Sequence, residues 1–382
     1  MGSPSARKAS DVAARWWRQP PDAAPELGRY APWFSAPVGN QTDFRIDSVG
    51  GRFVLLAFFG SSSAPAGRRH LDQLLALERH YDDGRLCFFG VSCDPRDAAI
   101  LTPRLPGIRY VRDADRAVSA LYGAWIGESY RRLTVLIDPS MRIVAVVPFD
   151  HDPAAHGETV AQVVASLPHP AQHAGTPLHA PVLIAPRVFD RELCDRLVAL
   201  HRRHGGEESG FMREVGELTV AAADLDFKRR RDCPVGDGSL RAACRKAIRE
   251  RLLPQIEQAF TVRLTRIERY IVARYAADTG GFFRPHRDNT TRGTAHRRFA
   301  VTINLNPGPW EGGDLRFPEY GPRTYRAPMG GAVVFSCSLL HECTPMVRGE
   351  RYCFLPFLYD EEGSRLREAN LKYVGASVAC PR

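Results

Sequence analysis

Residues 168–181 read Pro-His-Pro-Ala-Gln-His-Ala-Gly-Thr-Pro-Leu-His-Ala-Pro, and a stretch of that composition cannot continue a helix or a strand. Each proline fixes φ and removes a backbone donor, so four of them in fourteen residues interrupt any hydrogen-bond ladder. The interruption lies in a chain of 382 residues, long for one core and comfortable for two. The expected division is an N-terminal arm over 1–29, a first domain over 30–167, a Pro/His-rich linker over 168–181 and a second domain over 182–382. No internal repeat competes with that division.

Composition narrows the class. Hydrophobic residues at 44% and charged residues at 25% describe a soluble globular protein and rule out wholesale disorder or a fibre. No apolar run approaches the roughly 20 residues that cross a bilayer, so no membrane association is expected. The start contains Arg7, Lys8, Arg15 and Arg18 without an apolar core, and Ala6 stands where a myristoylation motif needs Ser or Thr. A cytoplasmic location is the resulting expectation. Nine cysteines form no C-x-x-C and cannot all pair within one chain, which points to reduced thiols. A formal charge of +9 permits anionic partners without requiring them.

Upstream of the linker, β-type runs alternate with helical spacing. Phe53 to Phe59, Leu86 to Val91, Ile108 to Val111, Leu133 to Ile137 and Ile143 to Val147 read as strands. Leu71, Leu74, Leu75 and Leu77, then Ala114 to Tyr122 and Thr159 to Leu167, read as helices. The first domain is therefore an α/β fold around a mixed sheet. Gly50-Gly-Arg-Phe-Val-Leu-Leu-Ala-Phe-Phe59, Gly90-Val-Ser-Cys-Asp94, Tyr122-Gly123 and Arg132-Leu-Thr-Val-Leu-Ile-Asp-Pro139 resemble a thioredoxin or peroxiredoxin fold. The resemblance implies peroxide chemistry at a cysteine starting the helix after the first long strand. That turn reads Gly60-Ser-Ser-Ser-Ala-Pro-Ala-Gly67 and contains none, so a retired redox fold is expected. Ser61, Ser62 and Ser63 read as ordinary caps, with an anion at the helix start as the alternative. Cys87 reads as a buried strand residue and Cys93 as at most an exposed, unactivated thiol.

Downstream, helices over Arg191 to His204 and Leu240 to Phe260 precede short strand-like segments. These are Ile267 to Tyr275, Phe299 to Leu305, Asp314 to Phe317, Gly331 to Phe335 and Tyr352 to Leu358, and they read as a jelly roll (double-stranded β-helix) with flanking helices. His-x-Asp occurs three times, as His70-Leu-Asp72, His80-Tyr-Asp82 and His286-Arg-Asp288. Residues two apart share a face on a strand but not on a helix. The first two pairs fall on a helical pattern and read as surface residues, whereas His286 and Asp288 can face one ion. His341, 52 intervening residues beyond Asp288, supplies a third ligand. Two imidazoles and a carboxylate suit non-heme Fe(II), with zinc as the chemical alternative. Arg351, ten residues after His341, can grip a carboxylate through two parallel hydrogen bonds.

Tyr275-x9-Pro-His286-Arg-Asp288, Val301-Thr-Ile-Asn-Leu-Asn306, Glu311-Gly-Gly-Asp-Leu-Arg-Phe-Pro318, Val334-Phe335, His341-Glu342 and Val347-x-Gly349-x-Arg351 occur in this order. In them the chain resembles the Fe(II)- and 2-oxoglutarate-dependent dioxygenases of the prolyl 4-hydroxylase-like branch. The resemblance implies that His286, Asp288 and His341 hold iron and that Arg351 binds the distal carboxylate of 2-oxoglutarate. It also implies a hydrogen bond from Tyr275 to the co-substrate, at a spacing to His286 one residue longer than the family commonly shows. Dioxygen is the second co-substrate and ascorbate an optional accessory. Oxidative decarboxylation would yield succinate and carbon dioxide and hydroxylate an unactivated C–H bond. Halogenating relatives lack the carboxylate ligand, so Asp288 favours hydroxylation.

The substrate is expected to be a prolyl or other residue in a peptide or protein, with a free amino acid or small metabolite as the alternative. Arg284, Arg287, Arg292, Arg297, Arg298 and the run Lys228-Arg-Arg-Arg231 read as a solvated basic face that could concentrate acidic substrates. No interleaved aromatic platform is visible, which disfavours nucleic acid. Two further readings are a thiol-redox or binding protein acting through Cys87 or Cys93 on a degenerate oxygenase scaffold, and an oxygen or iron sensor using the same triad. Oligomeric state is not legible.

Overall fold

The run Phe53–Phe59 has no polar residue, and it forms the strand Phe53–Gly60 inside a seven-stranded sheet, buried on both faces. The computed structural model describes residues 25–375, so residues 1–24 of the expected arm, and Cys380, lie outside the described residues. The chain divides into two units, Met1–His179 with Pro318–Pro322, and Ala180–Phe317 with Arg323–Arg382.

In the first unit Phe53–Gly60, Leu86–Ser92 and Ile108–Arg112 are parallel neighbours. Leu133–Ile137 and Ile143–Pro148 continue the sheet antiparallel on one flank, and Ser35–Val38 and Gln41–Arg45 on the other. Alternation distributes the first strand between two cores: Phe53, Leu55, Ala57 and Phe59 pack with Leu71, Leu74, Val160 and Val164, while Val54, Leu56 and Phe58 pack with Val118 and Tyr122. Each of these valine, leucine and phenylalanine side chains contributes roughly 1.5–3 kcal/mol by leaving water. The mixed sheet is the thioredoxin-like architecture expected.

His70 departs from expectation. Asp72 is exposed, but His70 is fully buried, because Gly67, His70, Leu71 and Leu74 share the inward stripe of the helix Pro65–Leu75. Its Nε2 lies 2.9 Å from the Thr134 hydroxyl, which in turn meets His156 Nε2 at 3.0 Å. The linker also contains one 3-10 turn, Pro170–Gln172, where the Ala171 N–H donates to His169 Nδ1 at 3.2 Å.

The second unit is a jelly roll. Its larger sheet runs in the order 183–185, 332–336, 299–304, 350–354, 271–276, 231–234, 207–208, and the smaller in the order 228–229, 282–286, 341–343, 315–316, 324–325. The helix Arg191–His204 starts at Asp190, which accepts the Leu193 N–H at 3.0 Å, and ends at Gly205 with φ +74°. It and the helical stretch from Gly238 to Phe260 cover the outer face of the larger sheet, through Val272, Val301, Tyr352 and Phe354. That stretch is not one α-helix: a π turn over Ile248–Leu252 precedes Pro254, which has no N–H to continue the ladder.

Two expected strands are each divided. Ile267 to Tyr275 becomes Arg266–Glu268 and Ile271–Ala276, broken at Arg269 with φ +67°. Tyr352 to Leu358 becomes Glu350–Phe354 and Phe357–Tyr359, broken at Pro356. Several short strands, including the hairpin Phe211–Val215 with Leu218–Ala222, have no counterpart among the expectations.

Candidate metal centre

His286 ends the strand Phe282–His286, and His341 begins the strand His341–Cys343. The two strands are antiparallel, and these residues are direct cross-strand partners, with ring centroids 4.3 Å apart. Asp288 follows two residues later, where its backbone N–H donates to the Cys337 carbonyl at 3.0 Å. Its carboxylate oxygens lie 3.6 Å from His286 Nε2 and 3.3 Å from His341 Nε2. One ligand atom from each of the three residues lies within 4.8 Å of the others, a spacing that could hold one metal ion.

Orientation comes from the backbone. His286 Nδ1 donates to the Arg284 carbonyl at 2.7 Å and His341 Nδ1 to the Leu339 carbonyl at 3.0 Å. A carbonyl only accepts, so both Nδ1 atoms carry protons, and both Nε2 atoms are left to face the centre. Burial, then the His341 imidazole, push His286 down to about 3, so that it is neutral at ordinary pH. Burial works to raise the Asp288 carboxyl, but His341, His286 and Arg297 outweigh it and hold Asp288 below the usual carboxylate range. Two imidazoles beside a carboxylate form a donor set that fits Fe(II) or Zn(II). Aromatic rings wall the pair: Phe283 stacks on His286 with centroids 3.5 Å apart, and Phe335 lies 4.5 Å from His341.

Arg351 and Tyr275 are partners across Ile271–Ala276 and Glu350–Phe354, on the face opposite to Val272 and Tyr352, and both point between the two sheets. Arg351 is 3% exposed; its Nε donates to Asn304 Oδ1 at 2.9 Å and its Nη1 to the Gly313 carbonyl at 2.7 Å. Among the described residues it has no carboxylate partner, an arrangement suited to an anionic ligand. Tyr275 lies 5.8 Å from the Arg351 guanidinium carbon, and its hydroxyl accepts from Arg230 Nη1 at 3.3 Å.

The basic run Lys228–Arg231 is only half a solvated face. Lys228 and Arg230 are buried, and Arg229 and Arg231 are exposed, as alternation on a strand requires. Arg287 and Arg297 are buried as well. Arg230 grips Asp232 by two hydrogen bonds, 2.7 and 2.6 Å, and Lys228 Nζ donates to Ser209 Oγ at 2.7 Å and the Gly210 carbonyl at 2.6 Å. Lys228 also lies 4.7 Å above the Phe283 ring that stacks on His286. The signal for this inward row was present in Lys228, Arg230 and Asp232, spaced by two and ending on an acid.

In the first unit, carboxylates of the chain itself fill the turn at 60–67. Ser61 Oγ donates to Asp94 at 2.7 Å, the Ser62 N–H to Asp97 at 3.0 Å and Ser92 Oγ to Asp97 at 2.5 Å. Internal aspartates therefore occupy the place of an anion. Burial pushes the Cys87 thiol up to about 12 and the Cys93 thiol up to about 11, where neither is a nucleophile at neutral pH.

Residues 270–359 match the sequence model of the 2OG-Fe(II) oxygenase superfamily, and residues 27–146 match that of the AhpC/TSA family. A PKHD-type hydroxylase of Bordetella pertussis is 36% identical over 97 residues, 22% of this chain and 43% of that protein. A PKHD-type hydroxylase of Burkholderia thailandensis is 30% identical over 144 residues, 36% of this chain and 62% of that protein. The chain thus spans less than two thirds of either relative. A Pseudomonas putida prolyl-4-hydroxylase structure aligns at 24% identity over 48% of this chain and 94% of that one, with a TM-score of 0.37. Among the described residues no helix is long and apolar enough to cross a membrane.

Proposed function

Because the chain carries a 2OG-Fe(II) oxygenase domain behind an AhpC/TSA-type domain, we propose that it hydroxylates an unactivated C–H bond of a prolyl or other residue in a peptide or protein. The observation that carries this reading is the meeting of His286, Asp288 and His341, with both Nε2 atoms turned toward one carboxylate. Fe(II), when bound there, would supply activation of dioxygen coupled to decarboxylation of 2-oxoglutarate, releasing succinate and carbon dioxide.

The chain's own residues do the rest. His286, Asp288 and His341 hold the metal, and the carbonyls of Arg284 and Leu339 keep the imidazoles aimed at it. Arg351, preset by Asn304 and Gly313, orients the distal carboxylate of the co-substrate, with Tyr275 alongside. Phe283 and Phe335 pack against the two imidazoles and restrict their movement. Similarity to relatives named PKHD-type hydroxylases supports the hydroxylase reading. For peptide capture, the first unit's sheet ends on the largely exposed edge strand Gln41–Arg45, whose free backbone groups can pair with an extended chain.

The test is succinate formation from 2-oxoglutarate after oxygen is admitted to anaerobically Fe(II)-loaded protein, with co-substrate binding followed under nitrogen. Binding or succinate should be present in the intact chain and lost in His286→Ala and Arg351→Ala. Absence of both from the intact chain would defeat the proposal.

A further inference from the structure

Inside the second unit, the Arg269 guanidinium has no ion-pair partner among the described residues. Arg269 stands between the strands Arg266–Glu268 and Ile271–Ala276 with φ +67°, a left-handed conformation that an arginine adopts only when its surroundings impose it. Its Nε donates to the Leu355 carbonyl at 3.3 Å, and its guanidinium carbon lies 4.6 Å from the centroid of Phe357. Arg297 lies over the same ring at 4.0 Å and donates from Nη1 to the Asp288 carbonyl at 3.4 Å. Arg269 is therefore one aromatic ring away from an arginine that touches the metal-ligand segment.

The neighbouring cations are all engaged, two of them by carboxylates. Arg297 is bound by Glu268, Arg230 by Asp232, and Lys228 by Ser209 and Gly210. Arg269 has no ion pair among the described residues, and its two terminal nitrogens have no hydrogen-bond partner. It feels repulsion from Arg230 and Arg297, and the carboxylates that attract it, Asp232 and Asp288, are already engaged. Burial, then Arg230, pull its guanidinium down to about 10, so it remains charged at neutral pH. A half-buried cation held in strained backbone beside like charges is unfavourable in the free protein, and a bidentate carboxylate would offset that cost.

We propose that Arg269 anchors a carboxylate of the prime substrate, separately from the co-substrate carboxylate assigned to Arg351. This rests on the oxygenase reading and deepens it, because the substrate is then an acid. Two sources share that chemistry: an acidic side chain next to the hydroxylated residue, and the terminal carboxylate of a chain or free amino acid.

The experiment uses the full chain with Zn(II) in place of iron and saturating 2-oxoglutarate, which fills Arg351 without turnover. Ligand-observed NMR then compares acetyl-Pro-Glu-Gly-amide with its Gln counterpart, and acetyl-Gly-Pro with its amide. The acid of at least one pair should bind about tenfold more tightly than its neutral partner. The pair that responds identifies the source. The preference should vanish in both Arg269→Gln and Arg269→Gly, while Arg269→Gly, freed of the positive-φ penalty, melts at or above the temperature of the parent protein.

Equal binding of acid and amide in both pairs, or an acid preference that survives in Arg269→Gly, overturns the proposal. Loss of 2-oxoglutarate binding in Arg269→Gly also overturns it, by assigning this arginine to the co-substrate. Failure of the parent protein to bind 2-oxoglutarate would instead defeat the oxygenase reading, and the same acid and amide comparison would then be made with Zn(II) alone.

Discussion

His286 and His341 face each other across one antiparallel rung, and each gives its Nδ1 proton to the carbonyl two residues upstream, Arg284 in one case and Leu339 in the other. The same local device on two strands leaves both Nε2 atoms pointing toward Asp288. Since the orienting groups are backbone, they depend on the strands themselves and not on further side chains.

Removing any one of the three ligands should therefore act on the metal more than on the fold. His286→Ala, Asp288→Ala and His341→Ala are each expected to lower Zn(II) or Fe(II) affinity by more than ~100-fold, since even changes behind the ligands cost 10–100-fold. Calorimetric titration of the full chain, with far-UV circular dichroism to verify folding, measures this. Affinity within a few-fold of the parent in all three would remove these residues from the metal's coordination.

Arg351 should discriminate between charge and geometry. Arg351→Ala is expected to cost about 2–3 kcal/mol of 2-oxoglutarate binding, and Arg351→Lys less, because an ammonium keeps the charge but loses the fork. Metal affinity measured without 2-oxoglutarate should stay unchanged in both. Equal 2-oxoglutarate binding in parent and Arg351→Ala would place the co-substrate elsewhere.

Acid should weaken the first unit in a defined window. Burial, then His156, push the His70 imidazole down to about 2, and burial pushes His156 down to about 4. Below the ordinary histidine value near 6.5 the unfolded chain takes up protons that the folded chain does not, so stability falls as pH drops from about 6.5 toward these values. The slope is at most about 1.4 kcal/mol per pH unit for each group. Denaturant melts between pH 7.5 and pH 5 should show the loss, and His70→Leu should flatten it. A pH-independent midpoint in the parent protein would contradict the buried, neutral assignment.

The thiols of the first unit should be inert. With Cys87 pushed up to about 12 and Cys93 up to about 11, the thiolate fraction at pH 7 is negligible. Alkylation by iodoacetamide, followed by mass spectrometry on the folded chain, should be slower at both than at a free cysteine. Any peroxide consumption should be the same in Cys87→Ser and Cys93→Ser as in the parent. Rapid labelling of Cys93 would revive the thiol-redox alternative.

Much of the architecture was legible where a segment's periodicity agrees with its burial. Phe53 to Phe59 is apolar on both faces and forms an interior strand; Arg191 to His204 carries a helical stripe between Asp190 and Gly205 and forms a capped helix. Polar, short or strained pieces were not legible. The hairpin at Phe211–Val215 and Leu218–Ala222 lacks a clean apolar alternation, and nothing in the identity of Arg269 announces a left-handed backbone. His70 departs from the surface expectation for its His-x-Asp pair because His70 and Asp72 fall on different sides of one helix.

By itself the sequence determined which ligand types the chain possesses and at what spacing: His286 two residues before Asp288, where both can face one ion, Arg351 ten residues after His341, and a turn at 60–67 without a thiol. Only the tertiary structure decided that His341 meets His286, that Lys228 and Arg230 turn inward, and that Arg297 has a carboxylate partner whereas Arg269 has none. The reason is physical. Side-chain alternation follows from local backbone geometry, whereas register, ion pairing and the burial of a charge depend on which distant segment packs against it.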